Sequence, residues 1–195
     1  STGIKASLEA NFQLITSDDE KWFESDYIKI SDEYLLNILK DITGRKKADI
    51  ALAEKQRQYE TLLKNLPGMV YRCQNDKDWT MQFVNEGCYG LLGYYPEEMI
   101  NNKTVAFAKL IHPEDLDSVW NNIQAKLDQQ CSYEINYRII TKTNETKWVW
   151  ERGQGIYNDE GEITALEGFI TDITERLLFE QKAEKARQQA EALQE

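Results

Sequence analysis

The sequence is short of several things, and each shortage closes off a class of protein. It has three cysteines and one histidine in 195 residues. Cys73, Cys88 and Cys131 are scattered and share no C-x-x-C spacing with one another or with His112. Neither a disulfide framework nor a metal site is indicated, and a reducing, cytoplasmic setting is the expectation. Apolar runs are only a few residues long, against the roughly 20 needed to cross a bilayer, so no membrane insertion is expected of this segment. Positive charge is also scarce: 23 Lys and Arg against 34 Asp and Glu give a net charge of -11. That surplus repels phosphate, which makes nucleic acid and anionic membranes poor partners.

Catalytic machinery is missing too. The carboxylate pairs Glu97-Glu98, Glu114-Asp115 and Asp159-Glu160 have no nucleophile or metal-ligand pattern beside them, so they read as solvated turns and helix starts, and no catalytic residue is assigned. Gly153-x-Gly155 lies in a strand pattern and lacks a third glycine, so it reads as a bulge or close packing point and not a dinucleotide loop. What is present is a hydrophobic content of 41%, enough for an ordinary core. The start, Ser1-Thr2-Gly3, has no Met and runs straight into patterned sequence, as an internal fragment of a longer protein would.

A truncated repeat organises the chain. Glu9, Asn11, Ile15 and Thr16 recur as Glu134, Asn136, Ile140 and Thr141, and Lys21-Trp22 as Lys147-Trp148. Leu35, Asp41-Ile42-Thr43 and Arg45 recur as Leu166, Asp172-Ile173-Thr174 and Arg176. Each copy alternates as strands do: Ile135, Tyr137 and Ile139 face one way, Asn144-Glu145 supplies a turn, and Asn158-Asp159-Glu160-Gly161 makes the next hairpin. Only the second copy has a front half: strands near 69–74 and 79–85, helical turns over 86–100, and a helix opened by Pro113 with Leu116, Val119, Trp120, Ile123 and Leu127 on one face.

Four segments are therefore expected: residues 1–44 as the last three strands of a preceding unit, 45–66 as a linker helix, 60–174 as a complete unit, and 175–195 as a C-terminal helix. Leu52, Tyr59, Leu63 and Leu66, and later Phe179, Ala183, Ala186, Ala190 and Leu193, follow heptad-like steps that fit paired helices; a single amphipathic helix lying on its own domain fits the first set equally. The three strands of the first segment leave an apolar face that something must cover.

An ordered string of motifs carries a family resemblance. It runs Phe83-Val84-Asn85-Glu86-Gly87, Leu91-Leu92-Gly93-Tyr94, Pro96-Glu97-Glu98, Ile111-His112-Pro113-Glu114-Asp115, Tyr137-Arg138, Trp148-Val149, Glu151-Arg152-Gly153 and Asp172-Ile173-Thr174-Glu175-Arg176. In these the chain resembles the PAS family, in the subgroup with a PAC motif. The resemblance implies an α+β fold: a five-stranded antiparallel sheet with short helices on one face, often a ligand cavity between them, and coiled-coil-like flanking helices. It also implies a non-enzymatic sensory and dimerisation module feeding an effector such as a histidine kinase or diguanylate cyclase.

Within that frame, Tyr71, Phe83, Val119, Trp120, Ile123, Tyr137, Trp150 and Phe169 are the candidate lining of a cavity; simple core filling is the competing reading. Asp172, Thr174, Glu175 and Arg176 are the candidate relay, with Asp172 and Glu175 at capping-box spacing and Asp172 and Arg176 as an i,i+4 pair. No cofactor is assigned. Haem is disfavoured because His112 precedes Pro113, outside a helix, and light-oxygen-voltage flavin chemistry because residues 101–110 hold no Cys. The expected partners are a second copy through the flanking helices, an effector domain and a small ligand, with a ligand-free spacer as the rival.

Overall fold

A computed structural model describes residues 5–13, 20–31 and 33–192. They form two compact units, residues 1–61 and 62–195.

In the first unit, β1 (Lys5–Gln13), β2 (Glu20–Lys29) and β3 (Leu35–Asp41) form an antiparallel sheet in chain order, followed by helix α1 (Thr43–Asn65). Tyr27, Ile28, Leu36, Ile38 and Leu39 stay exposed on this sheet. α1 has no buried residue.

The second unit runs β4 (Met69–Cys73), β5 (Met81–Val84), α2 (Gly87–Leu92), α3 (Pro96–Met99), α4 (Leu116–Leu127), β6 (Tyr133–Ile140), β7 (Thr146–Tyr157), β8 (Ile163–Asp172) and α5 (Thr174–Ala192). Its sheet is antiparallel in the order β5-β4-β8-β7-β6, so the unit's first strand pairs with its last. The fold is α+β with a five-stranded sheet and short helices, as the sequence implied. One face packs on α4 through Val119, Ile123 and Leu127, and the core gathers there with Met69, Tyr137, Ile139, Val149 and Ile170.

Local chemistry explains the joints. Gly93 ends α2 at φ 81° and Gly161 turns the β7–β8 hairpin at φ 82°, where Asn158 Oδ1 accepts the amides of Glu160 and Glu162. α4 begins at Leu116, three residues later than the expected opening at Pro113, because the proline biases His112 towards extended backbone and residues 112–115 close a turn first. Asp115 does not cap its own helix. Its carboxylate takes the Arg138 backbone amide at 2.9 Å and the guanidinium at 3.0 and 2.6 Å, pinning the start of α4 to β6.

The repeat is visible in three dimensions. Phe23 pairs with Asp41, and the residues at their repeat positions, Val149 and Asp172, also pair. The strand-to-helix junctions match bond for bond. Asp41 Oδ1 accepts the Thr43 amide at 2.9 Å and Thr43 Oγ1 the Trp22 amide at 2.9 Å; Asp172 Oδ1 and Thr174 Oγ1 do the same, at 2.9 and 2.9 Å, for Thr174 and Trp148. Ile15 and Thr16 of the repeat, and Leu193 of the C-terminal heptad pattern, lie outside the described residues, as does the Ala190 side chain.

Candidate functional site

The interior face of the sheet is set by strand parity. β4 buries Met69, Tyr71 and Cys73, β6 buries Tyr133, Tyr137 and Ile139, and β7 buries Val149, Glu151 and Gly153. Glu151 is thus a carboxylate in a hydrophobic core, 4% exposed. Three tyrosines surround it. Tyr71 Oη donates to Glu151 Oε1, Tyr137 Oη donates to Oε2 at 2.7 Å, and the Tyr71 and Tyr133 hydroxyls are 2.7 Å apart. Burying an unpaired charge costs several kcal/mol, so such a group either takes up a proton or finds a partner. Burial accordingly pushes the Glu151 carboxyl up from its ordinary value, against the pull of the tyrosine hydroxyls. Tyr71 and Tyr137 are pushed up by burial and then by the Glu151 charge.

Two glycines make room for this cluster. Gly153 and Gly168 face each other across β7 and β8. A Cβ at Gly153 would run into the Tyr133 phenol, and one at Gly168 would sit 2.6 Å from the Tyr71 hydroxyl and 2.7 Å from the Arg152 carbonyl. The Gly153-x-Gly155 motif is therefore a close packing point and no nucleotide loop.

Against the cluster lies an interior space of about 10 Å³, lined by Tyr71, Tyr137 and Glu151 on the sheet and by Trp79, Phe107, Val119 and Ile123 among others. That is room for about one water.

The structure brings Tyr71, Val119, Ile123 and Tyr137 together at this space. It places the other four expected residues elsewhere. Trp120 is half-buried and packs on Trp79 at 5.0 Å between ring centroids, with Lys77 Nζ 3.7 Å above its ring. Phe83, Trp150 and Phe169 lie on the opposite face of the sheet. Tyr71 pairs with Val84, so Phe83 aligns with outward Arg72; Trp150 alternates out between Val149 and Glu151 and donates its indole N–H to Glu134 at 2.8 Å; Phe169 pairs with Val70 and Arg152. The sequence reading gave these aromatics one interior parity, whereas within each strand parity turns Tyr71 and Tyr137 inward and Phe83, Trp150 and Phe169 outward.

Glu151, Tyr133, Cys73, Trp79 and Phe107 were missed. The parity of Tyr133 with Tyr137, and of Glu151 with Val149, was the signal that could have found the first two. A charged residue inside a Trp-Glu-Arg stretch reads as exposed on composition alone.

The relay residues also rearrange. Asp172 belongs to β8 and makes a local turn to Thr174 plus an ion pair with Lys147 at 3.3 Å. It neither caps α5 through Glu175 nor pairs with Arg176, because a strand residue has no helical i,i+4 neighbour; Arg176 bonds Glu180 at 2.9 Å, one turn on. Thr174 holds both the amide and, at 3.4 Å, the carbonyl of Trp148. At the entrance, Asn85 bonds Leu63 O at 3.0 Å and the Val70 amide at 2.8 Å, while Thr171 Oγ1 reaches Pro67 O at 2.6 Å. The segment leaving α1 and the strand feeding α5 are thus tied directly together.

Comparison with known proteins agrees with this architecture. The family described as PAS fold matches residues 81–170. A methyl sulfide methyltransferase-associated sensor of Methanosarcina acetivorans is 30% identical over 131 residues, covering 67% of this chain and 13% of that protein. A blue-light-activated histidine kinase of Brucella ovis is 28% identical over 104 residues, 50% of this chain and 20% of the relative. The chain therefore spans no more than a fifth of these two relatives. Among solved structures, a sensory box histidine kinase/response regulator from Burkholderia thailandensis superposes with a TM-score of 0.55 at 22% identity, over 69% of this chain and 98% of that one. A PAS domain from Colwellia psychrerythraea gives 0.53 at 18% identity, over 62% and 98%. Sheet order, helical cover and family match converge on one identification: the chain carries a sensory domain of the PAS family, in the unit built around residues 81–170.

Proposed function

We propose that this chain is the sensory and dimerisation part of a larger signal-transduction protein, and that the state of its interior Tyr–Glu cluster is relayed to α5. The observation that carries the reading is the position of Glu151. It pairs with Ile170, two residues before Asp172, so a change in the cluster acts on the strand that ends in the α5 junction. An effector such as a histidine kinase or diguanylate cyclase follows from the kinds of protein this unit resembles.

Residues 1–44 are the closing strands of a preceding unit of the same kind, which the matching register and junction support. The flanking helices pair in a parallel dimer, supported by the exposure of Leu52 and Tyr59 on α1 and of Leu178 and Phe179 on α5. The setting is cytoplasmic: all three cysteines are free, and no described helix is long and apolar enough to cross a membrane.

Hydrogen exchange on the full chain tests the relay. Tyr71→Phe removes one donor to Glu151; the expected result is faster exchange at the Trp148 and Thr174 amides and in the first turn of α5. Changes confined to β4, β6 and β7 would reject the relay.

The rival reading, a spacer without ligand, is favoured by the size of the interior space. At about 10 Å³ it is far below the roughly 300 Å³ at which ligand pockets begin. A space of about that size is also smaller than a haem macrocycle or an isoalloxazine. The thiols add nothing for flavin: Cys88 is buried in α2, its Sγ donates to the Tyr94 carbonyl, and burial raises it to about 11.

A further inference from the structure

The interior cluster has a hydrogen-bond inventory that selects among ligands. Three phenols bring three hydroxyl hydrogens, and all three are committed. Tyr71 and Tyr137 donate to the two oxygens of Glu151, which leaves Tyr133 to donate to Tyr71. A carboxylate has about four acceptor positions, so lone pairs on Glu151 remain while no donor does. Among the described residues no basic side chain is hydrogen-bonded or ion-paired to Glu151. With Glu151 ionised, the site accepts and does not donate, and it carries an uncompensated negative charge.

The walls complete the pattern. The space next to Glu151 is bounded by the rings of Tyr71, Tyr137, Trp79 and Phe107. Aromatic faces attract cations, above all where water is excluded. The free volume of about 10 Å³ admits a group the size of water, which is also the size of an ammonium nitrogen with its hydrogens. From these facts we infer that the interior of this unit takes a small inorganic cation of the ammonium type, held by Glu151 and the surrounding rings. This rests on the sensory reading above and specifies its ligand. Carboxylates and phosphates find no donor there and meet a like charge. Potassium matches ammonium in size but brings no N–H.

The test uses the 195-residue chain with ammonium chloride, methylammonium chloride and potassium chloride at matched ionic strength. The readout is the Trp79 indole signal by two-dimensional NMR, since that ring lines the space and is 5% exposed. The expected result is a saturable shift with ammonium and none with potassium or with methylammonium, whose extra carbon exceeds the space. Its midpoint tightens by about tenfold per pH unit while Glu151 still holds its proton, because cation and proton compete for one carboxylate. Glu151→Gln abolishes the shift, whereas Phe83→Leu, on the opposite face of the sheet and outside the cluster, retains it.

Equal responses to potassium and ammonium, no saturable response at any pH, or an unchanged response in Glu151→Gln would each overturn the assignment. Native mass spectrometry separates this from failure of the sensory reading. A retained neutral or anionic molecule that alters α5 exchange overturns the cation and leaves the sensor standing. If neither ammonium nor any retained molecule alters α5 exchange, both fall.

Discussion

Glu151 is the residue on which the interior turns, and its energetics have a definite sign. Burial raises its carboxyl in the folded chain from the ordinary 4.5, so the folded state binds the proton more tightly than the unfolded state does. Stability contributed by the protonated form is present below pH 4.5 and is lost as pH climbs towards the folded value. Unfolding free energies from urea titration are expected to fall as pH rises from 4.5, with a slope of up to about 1.4 kcal/mol per pH unit until the raised folded value is passed, and Glu151→Gln to flatten that slope. A wild-type profile that rises over that window would contradict the assignment. Gly153 gives a second test at this scale. Gly153→Ala places a methyl against the Tyr133 ring and is expected to cost about 1–3 kcal/mol in chemical denaturation. Tyr133→Phe in the same background should not rescue it, because the ring carbons clash as well as the hydroxyl.

At the scale of elements, the three closing strands were legible in the sequence because the repeat supplied two readings of one pattern. The Asp-Ile-Thr triplets marked the ends of β3 and β8, and both strands end where the triplets begin. Helix α4 showed its buried face through Val119, Ile123 and Leu127. The site was half legible. Tyr71 and Tyr137 share the inward parity of their strands, but Phe83, Trp150 and Phe169 do not, and hydrophobicity cannot report which way a β side chain points when both faces carry aromatics. Glu151 was illegible for the opposite reason, since only the tertiary arrangement of three phenols makes a buried carboxylate tolerable. The junction between β8 and α5 makes its own prediction. Thr174→Ala removes the acceptor for the Trp148 amide and is expected to cost about 1 kcal/mol, with loss of exchange protection centred on Trp148 and the start of α5.

For the whole molecule, the two units differ in how fully they are covered. Ile170 is 0% exposed, whereas Leu39, its repeat counterpart, is 58% exposed. The complete unit holds its own core, so a chain lacking residues 1–44 is expected to keep one cooperative unfolding transition by circular dichroism; loss of that transition would show that the boundary is misplaced. Dimerisation is tested on the intact chain: Phe179→Glu, at a position 74% exposed, is expected to lower the dimer fraction in sedimentation equilibrium at least tenfold, and an unchanged fraction would remove α5 from the interface. The duplicated Asp–Thr–Trp joint makes the protein its own control. Asp41→Ala and Asp172→Ala sever the same bond in two places on one polypeptide, so whatever distinguishes their effects belongs to what each helix drives and not to the bond that was cut.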